Sequence, residues 1–196
     1  MIKIWLIRHG MTAGNLKGRY IGRTDEHLCQ EGKKALSELS YPVPDGLFVS
    51  PMIRCRETAE ILFPGKDFRI IDQLSETDFG NFENKNYREL AGNPDYQAWI
   101  DSGGNLPFPG GESRENFRKR TLEGFQRVIA ICSRENLQSA ALIVHGGTIM
   151  TLMEAWGRPE RDFYSWHVKN GHCYVTETDE KLWQSGGGVL EVKEEY

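Results

Sequence analysis

The chain has little that a disulfide framework, a membrane or a nucleic acid would use. Its four cysteines (Cys29, Cys55, Cys132 and Cys173) form no CxxC pair in 196 residues, so they read as free thiols in a reducing compartment. No apolar run approaches the length that crosses a bilayer. Met1 to Ile7 is apolar apart from Lys3 but too short for a signal peptide, so a cytoplasmic location with no membrane partner is the expectation. A net charge of −4 gives no basic excess for nucleic acid. Several phosphate-handling motifs are missing as well. There is no GxxxxGK[ST]. Asp78-Phe79-Gly80 spells the kinase triplet without the Gly-rich loop, its lysine or an HRD segment. Cys55 directly precedes Arg56 and lacks the loop a thiol phosphatase needs. No His/Cys/Asp grouping has metal-site spacing, so neither a metal nor another cofactor is expected.

What is present is ordinary for a globular domain: 39% hydrophobic and 27% charged residues, in a length that suits one domain spanning 1–196. Ile2 to Ile7 reads as a buried strand, Glu31 to Leu39 as a helix with Ala35, Leu36 and Leu39 on one face, and Leu47 to Val49 as a second strand. Ser50 is the expected N-cap, and Pro51 the first residue, of a helix running to Leu62. Phe68 to Ile71 is a third short strand. The stretch from about 75 to 113 is rich in aromatics, glycine and proline and reads as a cap-like insertion with short helices at Tyr87–Leu90 and Pro94–Ile100. Glu112 to Arg134 is the longest helix. Ala140 to His145 is a further strand, and Gly146-Gly147 lead into a helix over Thr148–Trp156. Cys173–Thr178 and Val189–Val192 read as strands paired at the sheet edge. Strands alternating with helices predict an α/β fold, a three-layer α/β/α sandwich around a mostly parallel central sheet.

Three segments fall at the carboxyl ends of predicted strands, where open α/β sheets place their sites. These are Arg8-His9-Gly10, Ser50-Pro51 through Arg54, and His145-Gly146-Gly147. Two histidines and two arginines at such places are hard to attribute to packing, and a phosphate is the natural occupant, because guanidinium matches its oxygens bidentately. The backbone N–H groups that open the helix at Gly146 add partial positive charge. In a cationic pocket His9 stays neutral and can attack phosphorus in line, giving a phosphohistidine. Arg8, Arg54 and His145 would spread the charge on the equatorial oxygens. Glu76 is the best candidate to protonate the leaving group and later to activate water, with Asp78 and Glu83 as nearby carboxylates. Asn15 is a candidate phosphate ligand from the first loop. Arg19 and Arg23 either contact phosphate or solvate their loop.

Taken together, LIRHGMTAGN (Leu6 to Asn15), SPMIRCRETA (Ser50 to Ala59), LSETDFGNFE (Leu74 to Glu83) and VHGG (Val144 to Gly147) resemble the histidine phosphatase superfamily, also called phosphoglycerate mutase-like. The resemblance implies that fold. It also implies His9 as the phosphorylated residue, Arg8, Arg54 and His145 in the phosphate pocket, Glu76 as proton donor and Asn15 as a lesser ligand. One position departs: members often carry Glu directly after the RHG triplet, where this chain has Met11, to which no role is assigned. Layout, and the Tyr164 to Thr178 stretch, look most similar to bacterial α-ribazole phosphatases of cobalamin synthesis.

The expected function is therefore a metal-independent phosphomonoesterase acting on a small phosphorylated metabolite, with α-ribazole 5′-phosphate as one substrate. A phosphoglycerate mutase and a non-catalytic phospho-ligand binder on the same fold are the alternatives. Phe79, Phe82, Tyr87, Tyr96, Trp99 and Phe108 either wall the cleft against a planar heterocycle or pack the cap. The remaining histidines, His27, His167 and His172, read as surface or packing residues. The oligomeric state stays open, a homodimer being one option.

Overall fold

A computed structural model describes residues 1–196. In chain order the strands and helices are β1 (Ile2–Arg8), α1 (Ala13–Leu16), α2 (Gln30–Ser37), β2 (Gly46–Val49), α3 (Ile53–Leu62), β3 (Arg69–Ile70), α4 (Pro94–Asp101), α5 (Arg114–Glu135), β4 (Ser139–Val144), α6 (Gly146–Trp156), β5 (Gly157–Arg158), β6 (Cys173–Thr178), α7 (Glu180–Gln184) and β7 (Leu190–Glu195). The strands form one seven-stranded sheet in the order β3-β2-β4-β1-β6-β7-β5. All its pairings are parallel except those of β6, which runs antiparallel to both β1 and β7.

Strands β2 and β4, and β1 apart from Lys3, read as apolar runs because both of their faces are covered. In β1, Ile2, Ile4 and Leu6 join a core beneath α5 and α6 that includes Phe125, Val128, Ile149 and Leu152. The alternate residues Trp5 and Ile7 join the opposite core with Cys55, Ala59 and Phe63 around α3. Helix α2 packs beside α3, and α5 beside α6. The chain leaving β1 therefore turns to one face and the chain leaving the adjacent β4 to the other. Neighbouring strands whose connections diverge open a crevice at their carboxyl ends, the usual ligand position in such sheets.

Several local expectations are corrected. Ala35 is exposed, and α2 instead buries Gly32 and Leu36. Tyr87–Leu90 is a series of turns; before α4, whose N-cap is Asn93, the segment's one short helical piece is a 3-10 turn at Gly80–Phe82. Helix α3 starts at Ile53, with Met52 as its N-cap; the Ser50 hydroxyl reaches only the Met52 N–H, at 3.5 Å, and the Ile53 N–H is taken by Asp25 Oδ1 at 2.7 Å. Strand β6 lies inside the sheet, and the edge beyond β7 is the two-residue β5.

Candidate active site

The carboxyl ends of β1, β2 and β4 bring His9, Ser50, Arg54 and His145 into one buried cluster. The extended backbone continues past each strand, through His9 N–H to the Val144 carbonyl (2.9 Å) and Ser50 N–H to the Ile143 carbonyl (3.0 Å). His9 is 4% exposed, while Arg54 and His145 are fully buried. The two imidazoles meet edge to face, with centroids 5.2 Å apart.

His9 Nδ1 lies 2.6 Å from the Gly10 carbonyl oxygen. A carbonyl only accepts, so Nδ1 carries the hydrogen and Nε2 keeps its lone pair. His9 is held well below the ordinary histidine pKa, first by burial and then by the Arg54 and Arg8 charges. It is therefore a neutral imidazole with one free ring nitrogen, the state a nucleophile needs.

Arg54 is fixed by the Thr24 and Gly22 carbonyls, each 3.0 Å away, and its Nη2 reaches His145 Nδ1 at 3.3 Å. Guanidinium is donor-only, so in this arrangement His145 accepts at Nδ1 and its Nε2–H donates to Ser50 Oγ, 2.7 Å away. His145 too is held well below the ordinary value, by burial and then by the Arg54 charge. Arg8 donates through Nη1 to the Val168 carbonyl at 2.8 Å. The Nε atoms of Arg8 and Arg54 are buried and bonded to no protein group. Two unpaired guanidinium N–H groups around a neutral imidazole are costly unless an anion takes them up.

Glu76 completes the cluster. Its carboxylate accepts from the N–H of Thr77 (2.9 Å) and of Gly147 (3.3 Å), at the start of α6. A Cβ at residue 147 would lie 2.6 Å from Glu76 Oε1, so glycine there leaves room for the carboxylate. Burial raises the Glu76 pKa, opposed by those two N–H groups and by Arg54 and Arg8. A carboxyl shifted upward keeps its proton to higher pH than an exposed one, the direction a general acid requires.

Residues 4–186 match the histidine phosphatase superfamily (branch 1). The chain belongs to that superfamily. It is a phosphatase of the histidine type, on the phosphoglycerate mutase-like α/β sandwich. It is 29% identical over 160 residues to an adenosylcobalamin/alpha-ribazole phosphatase of Salmonella typhimurium, covering 78% of each chain. It is 30% identical over 165 residues to a 2,3-bisphosphoglycerate-dependent phosphoglycerate mutase of Gloeobacter violaceus, covering 78% of this chain and 74% of that one. The crystal structure of the alpha-ribazole phosphatase from Shigella flexneri superposes with a TM-score of 0.80 at 25% identity, covering 97% of this chain and 95% of that one.

The remaining sequence candidates divide. Gly146 opens α6 and packs against the Arg8 guanidinium. Asn15 Oδ1 is occupied by the Thr12 N–H and by Asn170 Nδ2, both at 3.2 Å. It is one hydrogen-bonded residue removed from His9, whose carbonyl also accepts from Asn170. Arg19 is turned to Glu89 (2.8 Å) and Asn84, a place explained by loop pairing. Arg23 is largely exposed and pairs with Asp78 at 3.2 Å, on the rim of a polar cavity of about 610 Å³ that Glu76 also lines. Of the alternative carboxylates, Glu83 is committed to the N–H groups of Gly22 and Arg23 and the Thr24 hydroxyl, and Asp78 to Arg23 and Gly80. Among the described residues, no group of three or more His, Cys, Asp or Glu side chains is placed to hold a metal ion.

A second cavity, of about 240 Å³, also opens on Glu76 and Gly147. Phe79, Trp99 and Phe108 line it as a wall, whereas Phe82 is buried, Tyr96 stacks on Trp99 and Tyr87 is exposed. Tyr20, Phe163 and Tyr164 complete the wall from outside the segment that the sequence singled out.

Three roles were not legible beforehand. Ser50 is tied to His145, His167 Nε2 lies 3.4 Å from Arg8 Nη1, and Arg120 grips the loop of Glu76. Each depends on partners dozens of residues away, which no local pattern reports.

Proposed function

We propose that this phosphatase hydrolyses a small phosphomonoester whose alcohol bears a planar heterocycle, the class of α-ribazole 5′-phosphate, through a phosphohistidine on His9. The observation that carries the mechanism is the His9–Gly10 hydrogen bond, which leaves Nε2 as the free nucleophilic nitrogen inside a buried, doubly cationic cluster. In the first step Nε2 forms a bond to phosphorus as the bond to the alcohol oxygen breaks. Glu76 gives its proton to that oxygen. Arg8 and Arg54 present their free Nε–H groups to the phosphoryl oxygens. When Arg54 Nη2 turns to the phosphoryl group, the Ser50 hydroxyl can donate to His145 Nε2, and an Nδ1–H becomes available to a phosphoryl oxygen. In the second step water attacks phosphorus, the Glu76 carboxylate takes its proton, and the N–P bond breaks to return neutral His9.

The aromatic cavity beside Glu76 supports the heterocycle. It adjoins Glu76, the group that would protonate the leaving alcohol, and its Trp99 Nε1–H is buried with no protein partner, a donor for a ring nitrogen. Residues 75–113 act as the cap that supplies much of this wall over a single catalytic unit.

Phosphate release from α-ribazole 5′-phosphate, glycerol 1-phosphate and 3-phosphoglycerate tests the reading. The expected order of kcat/KM places α-ribazole 5′-phosphate first. Isomerisation of 3-phosphoglycerate outrunning phosphate release would reject it in favour of a mutase.

A further inference from the structure

The loop that carries Glu76 is gripped by one side chain from another part of the chain. Arg120, on α5, has five N–H groups, and all five are used. Nε donates to Glu112 Oε1 at 2.7 Å, and Nη2 to Glu112 Oε2 at 2.8 Å and the Glu76 carbonyl at 2.9 Å. Nη1 donates to the carbonyls of Gln73 (2.9 Å) and Ser75 (2.7 Å). The guanidinium also lies over the Phe117 ring, 4.9 Å from its centroid. Glu112 Oε2 accepts in turn from the Thr77 hydroxyl and the Asp78 N–H, both at 3.4 Å. One ion pair thus holds the peptide on both sides of Glu76.

We infer that Arg120, braced by Glu112, is a positioning residue that fixes the Glu76 carboxyl for proton transfer; this rests on the proton-donor role of Glu76 proposed above. The strand before the loop, β3, is only two residues long, so it cannot hold the loop by itself. Without the guanidinium, the three carbonyls at Gln73, Ser75 and Glu76 lose their shared donor. A general acid must stay within hydrogen-bond reach of the oxygen it protonates, and small misplacements are expensive in rate. Lysine cannot substitute, because an ammonium has three donors and no planar fork.

The experiment compares leaving groups in the whole protein. kcat/KM is measured for p-nitrophenyl phosphate, whose phenolate departs without a proton, and for glycerol 1-phosphate, whose alkoxide needs one. For Arg120→Lys the expected loss is about 30- to 100-fold on glycerol 1-phosphate and under about threefold on p-nitrophenyl phosphate. Glu112→Gln, which keeps Arg120 and its carbonyl partners, should show the same selectivity at smaller size, and it decides the matter if the lysine variant does not fold. Adding Arg120→Lys to Glu76→Gln should bring no further selective loss.

A purely structural role predicts equal losses on the two substrates, and that result in folded variants overturns the inference. If Glu76→Gln is selective while the Arg120 and Glu112 variants are not, the positioning role alone falls. If Glu76→Gln is itself unselective, the proton-donor role falls and takes the positioning role with it.

Discussion

The imidazole of His145 stands edge-on to that of His9, with ring planes crossing at 64°. Both rings are kept neutral by burial and by the Arg54 charge that faces each of them. Their bonds to fixed partners differ. His9 gives its hydrogen to the Gly10 carbonyl, whereas His145 is held through a hydroxyl that can reverse its direction. The first ring is thereby suited to attack, and the second to adapt to the charge that attack creates.

Replacing His9 with Ala should lower kcat by on the order of 10³-fold or more while the chain still folds. Circular dichroism checks the fold. Brief reaction of the unaltered protein with ³²P-labelled substrate, then quenching, should leave an acid-labile, base-stable label on His9. A folded His9→Ala variant with near-normal turnover would remove the mechanism.

How much of this was legible in the sequence follows from where each interaction's partners lie. Strand β1 and helix α5 were readable because their apolar residues recur at the spacing of the element that buries them. His9 and His145 were readable because they sit at strand ends where packing has no use for them, and Arg54 because it follows β2 in the first turn of α3. The helix after Ser50 begins later than its local pattern suggests, at Ile53, and the shortest bond of the Ser50 hydroxyl goes to His145, 95 positions on. Arg120 was invisible because three of its acceptors are main-chain carbonyls, which carry no signature in the side-chain alphabet.

Ser50→Ala leaves His145 Nε2 buried without its partner. A stability loss of about 1–3 kcal/mol is expected from urea unfolding, with kcat falling about tenfold as His145 loses its orientation. An unchanged unfolding midpoint would show that His145 is held by something other than Ser50.

Stability should depend on pH in a definite sense. His9 and His145 have folded pKa values below the ordinary 6.5, so below pH 6.5 the unfolded chain binds protons that the folded chain does not. Their contribution is fully present above pH 6.5 and is lost as the pH falls, by up to about 1.4 kcal/mol per pH unit for each histidine. Glu76, raised above 4.5, acts in the opposite sense. Its effect favours the fold below pH 4.5 and is lost as the pH rises through its folded value. Denaturant titrations at pH 7.5 and 5.5 should show lower stability at 5.5. A flat profile would contradict the neutral histidines.

Trp99→Ala should raise KM for α-ribazole 5′-phosphate about tenfold through lost stacking and a lost N–H donor. It should leave glycerol 1-phosphate within about twofold, since that substrate has no ring to meet the wall. Equal effects on the two would place the ring elsewhere.

Activity should survive prolonged incubation with excess EDTA, because the Arg54 and Arg8 charges that act on His9 supply the positive field a phosphoryl group needs. Loss of turnover that added metal restores would point to a catalytic metal ion.

The strap from Val168 to Gly171 has a consequence for biosynthesis. It accepts from Arg8, donates to the Arg8 and His9 carbonyls and ties down Asn15, across separations of about 160 residues. His9 leaves the ribosome among the first ten residues but meets this clasp only after most of the polypeptide has followed. A nascent chain halted before that point carries Arg8, His9, Arg54, Glu76 and His145 and still lacks the seal around them, so the cluster is closed only late in synthesis.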